Sequence, residues 1–195
     1  MIGDSTIRMV RHALADALKC PVDMIGSSSN IDDILFVSQV DAFFASSLYR
    51  RYDAIFVQMG HHGRIGRDGG DFSLADEERF GRSLTLLLQF LAQFSSKIIV
   101  ESIFDSVVPP TGRLNRWLVR HHKRPETFDE KINVITRRKN VIARQVVETL
   151  SANETMYKFL DINALANDQK FLRVDHIHFE GRAIPFIVQA MMAEI

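Results

Sequence analysis

Apolar residues in this chain follow two spacings that take turns from one end to the other: short continuous bursts, and longer stretches with an apolar residue at every third or fourth position. The bursts, bounded by glycine or polar clusters, predict buried strands, and the longer period predicts amphipathic helices. Met1 and Ile2 stop at Gly3-Asp4-Ser5, and residues 6–18 then carry Ile7, Val10, Leu14 and Leu18 as a helical stripe. Residues 22–25 predict a second strand ending at Gly26 and a polar run, Ser27 to Asn30, with a helix over 38–50. Residues 54–59 are the clearest buried strand, and the segment that follows, 60–71, is too rich in glycine for regular structure. Ser73 predicts an N-cap, with Asp76 and Glu77 in the first turn where the helix dipole favours acids. Leu74, Phe80, Leu84, Leu87, Leu88 and Leu91 form the buried face of that helix. A fourth strand over 97–100, a long helix over 128–150, a fifth strand over 157–160 and a last helix from 180 complete the pattern. Residues 103–127 hold three prolines, Trp117 and many basic residues, and so long a connection is often functional.

Strands separated by helices imply a parallel sheet, here of five strands, covered by helices on both faces. With 195 residues the chain fills one core, so a single domain over 1–195 is expected. In an open parallel sheet the ligand site lies beyond the carboxyl ends of the strands. Gly3-Asp4-Ser5, Gly26, Gly60-His61-His62 and the 103–127 segment all lie at such ends.

Acidic and basic residues balance at 24 each, which points away from nucleic acid or a membrane surface and toward a small molecule or a neutral polymer as partner. Cys20 is the one cysteine, so no intrachain disulfide forms. The first apolar stretch is two residues long and reads as no signal peptide, and no apolar run approaches the roughly 20 residues of a membrane helix. A cytoplasmic protein is expected. With only Met1 and Ile2 ahead of Gly3 the first strand is unusually short, which suggests that upstream sequence has been lost.

Ser5 sits at a strand-turn-helix junction, where a side chain can be presented at a helix N-terminus. A serine hydroxyl becomes a useful nucleophile when a histidine takes its proton, and the histidine works best when a carboxylate fixes its tautomer. The stretch from Arg173 to Gly181 supplies both: Asp175 and His178 are three residues apart, a spacing at which one turn lets the carboxylate bond the imidazole. Ser5, Asp175 and His178 thus form a candidate triad drawn from opposite ends of the chain.

With these residues in hand, the sequence resembles the SGNH (GDSL-type) hydrolases. Gly3-Asp4-Ser5 matches the first block and Asp175-His176-Ile177-His178 the last. The resemblance implies a flavodoxin-like three-layer αβα sandwich with a five-stranded parallel sheet. It implies Ser5 as nucleophile, with its own amide and that of Gly26, the match to the second block, forming the oxyanion hole. The third block departs from the family pattern, since Gly60-His61-His62-Gly63 stands where Gly-x-Asn-Asp is usual. His62 replaces the asparagine and can donate to an oxyanion only through a protonated ring nitrogen.

Plainer readings exist for each residue. Ser5 could be an N-cap, Asp4 a turn residue, His178 a surface histidine and Asp175 a cap. His61, His62, His176 and His178 could hold a metal, although the chain has neither an HExxH pattern nor cysteine pairs. Arg113, Arg116, Arg120, Lys123 and Arg124 could be a solvated helical face with Trp117 buried; alternatively, the arginines receive an anionic group while Trp117 stacks on a sugar. His61, Arg113 and Trp117 are the candidate substrate-binding residues. The glycines at 63, 66, 69 and 70 lack the ending of a nucleotide-binding loop and mark a site rim. The reading that unites these features is a serine ester hydrolase that needs no cofactor and acts on O-acetyl or short acyl groups of a carbohydrate or small metabolite. Acyl transfer to a sugar from an anionic donor, and a binding module that has lost the chemistry, are the alternatives. The oligomeric state is not legible.

Overall fold

A computed structural model describes the chain apart from residues 4, 27–29, 47–50, 61–71, 122–123, 152–155, 174 and 176 and the side chains of Ser5 and Thr6. Five strands, β1 (Ile2–Gly3), β2 (Ile25–Gly26), β3 (Ile55–Gln58), β4 (Lys97–Glu101) and a last strand, Met156–Leu160, form one parallel sheet. Their spatial order is second, first, third, fourth, last. The chain therefore winds one way from β1 to β2 and the other way from β1 to β3, so the topological switch point lies beside β1.

Alternation along the strands divides the core in two. Val57, Ile98 and Val100 face helices α3 (Ile34–Ala45), α4 (Leu74–Leu91) and α6 (Glu130–Leu150). Phe56 and Ile99 face α1 (Ser5–Arg8), α2 (Arg11–Leu18), α7 (Ile162–Asp168) and α8 (Ala183–Met192). This is the expected three-layer αβα sandwich with a five-stranded parallel sheet.

Several elements differ in extent from their sequence pattern. The first helix is two pieces, because Val10 N–H bonds Ile7 O at 3.2 Å in a tight turn that still keeps Ile7, Val10 and Leu14 on the buried side. The helix expected from 38 begins at Ile34, where the Asp33 carboxylate accepts from Leu35 N. Ser73 and Asp76 close the predicted N-terminus of α4 as a reciprocal capping box. Residues 103–127, expected as a connection, hold β5 (Val107–Val108), α5 (Arg113–Arg120) and the first residue of β6 (Thr127–Phe128), with β5 and β6 antiparallel. The side chain of Asn133 on α6 fixes the entry to this excursion by accepting from Ser106 N at 2.6 Å and donating to Ser106 O at 2.9 Å. No helix of the described residues is long and apolar enough to cross a membrane.

One core position breaks the pattern. Glu101 ends β4 opposite Leu160, on the same side of the sheet as Ile99, and is 2% exposed. Among the described residues neither of its carboxylate oxygens has a hydrogen-bond partner. Burial pushes its carboxyl from an ordinary 4.5 up to about 8. In the unfolded chain the group ionises at its ordinary value while the folded protein still holds the proton, so the stability present at acid pH is lost progressively as pH rises toward the folded value. Glu101→Gln should therefore raise the melting temperature near about pH 8 and change it far less near about pH 4. Equal effects at both pH values, measured by thermal unfolding, would contradict a protonated Glu101.

Candidate active site

The switch point is built around a position that tolerates no side chain. Gly3 lies between Gly26 and Gln58 in register, and a β-carbon on it would stand 2.4 Å from Gln58 O and 2.8 Å from the Ile7 side chain. The strand therefore passes straight into α1, whose first residue is Ser5. Gly26, the predicted oxyanion amide, lies one strand away from that turn, with the Arg8 guanidinium packed over it. Asp4, His61, His62 and His176 lie outside the described residues, as does the Ser5 side chain.

Asp175 and His178 come together as their spacing predicts. One carboxylate oxygen, Oδ2, lies 2.6 Å from His178 Nδ1. The other, Oδ1, accepts from the backbone N–H groups of Ile177 and His178, both at 2.8 Å. Partial burial alone would push the Asp175 carboxyl up, but the two amide bonds and the His178 ring together hold it below its ordinary value. A carboxylate at Nδ1 keeps that nitrogen protonated, which assigns proton exchange to Nε2. The block is closed at its base by an antiparallel bridge between Arg173 and Phe179. Phe179 meets Phe104 edge to face at 4.8 Å, and both pack in one cluster with Ile7. Residues two beyond Ser5 and one beyond His178 thus belong to the same apolar layer on one face of the sheet.

The third strand's exit carries a feature that the sequence pattern did not bring out. Gly60 has φ +132°, and a β-carbon there would lie 2.4 Å from Ile103 Cδ1. Its carbonyl accepts from Lys139 Nζ at 3.0 Å. Lys139 is buried on α6, its ammonium 5.1 Å and 5.3 Å from the centres of the Phe72 and Phe80 rings. The adjacent Arg138 donates to Phe72 O at 3.2 Å. Two consecutive residues of one helix therefore hold both ends of the segment that carries His61 and His62. A signal was available: Lys139 falls on the buried face of α6, in line with Thr136, Ala143 and Val147.

The basic segment corrects one expectation. Trp117 is not buried; it is 50% exposed, its ring tilted against that of His121 with centroids 4.7 Å apart, because α5 turns Val119 inward instead. A cavity of about 220 Å³ lies between α5 and the β5–β6 pair, lined by Pro109, Asn115, Val119, Arg124, Glu126 and Arg173 among others; Arg113 and Trp117 do not line it. Among the described residues no three His, Cys, Asp or Glu side chains converge as metal ligands would.

No protein-family model and no curated protein sequence matches the chain. Solved structures do. A point mutant of Axe2, an acetyl-xylooligosaccharide esterase from Geobacillus stearothermophilus, aligns with TM-score 0.63 over 99% of this chain and 91% of that one at 14% identity. The acetyl xylan esterase AlAXEase aligns with TM-score 0.60 at 15% identity, covering 100% of this chain and 98% of its own. The chain shares the fold of these two esterases. The C-terminal catalytic domain of the peptidoglycan O-acetyltransferase OatA from Streptococcus pneumoniae aligns on the same frame with TM-score 0.61 at 11% identity, over 99% of this chain and 89% of that one. At these identities the likeness is one of architecture.

The Asp175 geometry carries a pH signature. A carboxyl held low in the folded state adds stability above its ordinary range, and that stability is lost as pH falls through the folded value. Acidification from about pH 5 to about pH 3 should therefore destabilise the wild type more than Asp175→Asn. Parallel acid limbs in urea titrations would show that the amide bonds to Oδ1 do not hold the carboxylate form.

Proposed function

We propose that the protein, as a single domain over 1–195, is a serine ester hydrolase of the SGNH type that removes O-acetyl or short acyl groups from a carbohydrate or small metabolite. The observation that carries this reading is the 2.6 Å contact between Asp175 and His178, in a block whose Phe179 packs in the same cluster as Ile7. The fold shared with two acetyl xylan esterases supports the acetyl group and the carbohydrate.

Ser5 Oγ attacks the ester carbonyl as its proton passes to His178 Nε2. Asp175 keeps the ring in the productive tautomer and stabilises the imidazolium. The amides of Ser5 and Gly26, with His62, receive the developing oxyanion. The tetrahedral intermediate collapses to an acyl-serine as His178 returns the proton to the leaving alcohol. Water then attacks the acyl group by the same route, giving the acid and free Ser5. A reducing, cytoplasmic setting suits the exposed thiol of Cys20.

Ser5→Ala and His178→Ala should each lower kcat for a small aryl acetate by roughly a thousandfold or more, with the melting temperature nearly unchanged. Asp175→Asn should cost roughly ten-thousandfold by presenting the wrong tautomer. Turnover retained in either alanine variant removes this mechanism. Labelling by a serine-directed phosphonate in the wild type but not in Ser5→Ala separates the enzyme from a binding module.

A second reading, acyl transfer to a sugar, is favoured by the likeness to the O-acetyltransferase domain and by the exposed guanidinium row of Arg113, Arg116 and Arg120 on α5, which suits an anionic acyl donor such as an acyl-coenzyme A. Partition of the acyl group between water and added sugar acceptors decides it: a hydrolase gives free acid at all acceptor concentrations.

A further inference from the structure

The contact between Asp175 and His178 is local and says nothing by itself about where the pair stands relative to Ser5. That is settled at Arg173, two residues ahead of Asp175. Its side chain is 1% exposed, and every direction of its guanidinium is used. Nε donates to Asp105 O at 2.8 Å, Nη1 to Glu126 Oε2 at 3.0 Å and Nη2 to Asn167 Oδ1 at 2.9 Å. Its backbone N–H donates to the other oxygen of Glu126 at 2.6 Å. The guanidinium carbon stands 4.5 Å from the centre of the Phe179 ring and 5.4 Å from that of Phe128.

The partners come from three separate parts of the fold. Asp105 lies four residues past β4 and is itself held by α7: Asp105 N donates to Asn163 Oδ1 at 2.9 Å, and Asn163 and Asn167 both donate to Asp105 Oδ2. Its other oxygen, Oδ1, lies 3.9 Å from Arg137 Nε of α6 without a hydrogen bond. Glu126 and Phe128 belong to the excursion after β5, and Asn167 to α7. We infer that Arg173 is a positioning residue: it joins the β4 exit, the β6 region and α7 to the base of the Asp175–His178 block and thereby fixes the imidazole relative to Ser5. This rests on the esterase reading given above.

The planar fork is what the task requires. All three nitrogens donate while the guanidinium lies over two aromatic rings, and a lysine keeps the charge but can neither fork nor stack in this way. Small displacements of a catalytic base cost rate far more than they cost binding.

Arg173→Lys and Glu126→Gln test the inference through two readouts. The first is the far-downfield proton resonance of His178 Nδ1–H, assigned by its loss in His178→Ala, which reports the hydrogen bond to Asp175 without any need for turnover. The second is kcat and KM for an aryl acetate. Arg173 also pairs with Phe179 across the base of the block, so releasing the guanidinium loosens the turn that holds the pair as well as its placement. In folded variants the resonance should therefore shift or broaden away, and kcat should fall roughly tenfold to hundredfold while KM moves by less than about twofold. Should Arg173→Lys fail to fold, Glu126→Gln alone carries both readouts. A folded variant with an unchanged resonance and a wild-type kcat overturns the proposal, even if its melting temperature falls. A wild type that shows the resonance but no turnover sinks the esterase reading instead, and the response of the resonance then decides the role of Arg173 alone.

Discussion

Between β2 and β3 there is room for a backbone at position 3 but not for a side chain. The neighbouring carbonyl of Gln58 stands where the β-carbon would be, and Ile7 closes the other approach. Among the described residues β1 pairs over only two residues on each side, with Met1 adding bonds to Asp23 and Ile25, yet β1 is the strand at which the winding reverses. Everything at the carboxyl edge depends on this close approach. It sets Gly26 alongside β1, holds Ile7 of α1 against Gly3, and leaves Ile7 in the same apolar layer as Phe104 and Phe179.

Around that point the molecule separates two tasks. Local geometry prepares the imidazole, since a three-residue spacing is enough for Asp175 to bond both the ring and the backbone behind it. Distant contacts decide where the imidazole stands, and these are polar and buried: Arg173 with Glu126, Asp105 and Asn167. A buried ionic group whose partners are all in place contributes little net stability beyond an apolar replacement. What it adds is direction, because hydrogen bonds have preferred angles and apolar contacts do not.

The parts of this arrangement that were legible in the sequence are those set by short-range rules. The αβα layering followed from the alternation of apolar bursts and helical stripes, the α4 cap from Ser73 and Asp76, and the Asp175–His178 contact from its three-residue spacing. What escaped was set by contacts far apart in the chain. The excursion through β5, α5 and β6 is held by Asn133 on Ser106 and Arg173 on Glu126, pairs that no periodicity links. The outward turn of Trp117 follows from Val119 packing inward, a choice its own helix does not dictate. Polar residues on the inner side of α6 share one explanation. Asn133, Lys139 and Asn140 each satisfy backbone groups at the exits of β3 and β4, where the chain leaves the sheet and its carbonyls and amides lose their ladder partners.

The pairing of Arg138 with Phe72 and of Lys139 with Gly60 has a consequence for how this architecture can change. Both ends of the third-strand loop are tethered to one turn of the same helix, so α6 holds the two ends of that loop together. For chain closed between fixed ends, doubling the length costs only about 0.6 kcal/mol. A change in the length of chain between these two anchors therefore costs little closure entropy, so the frame at Gly60 and Phe72 offers evolution a place where length can vary while the scaffold that grips both ends stays the same.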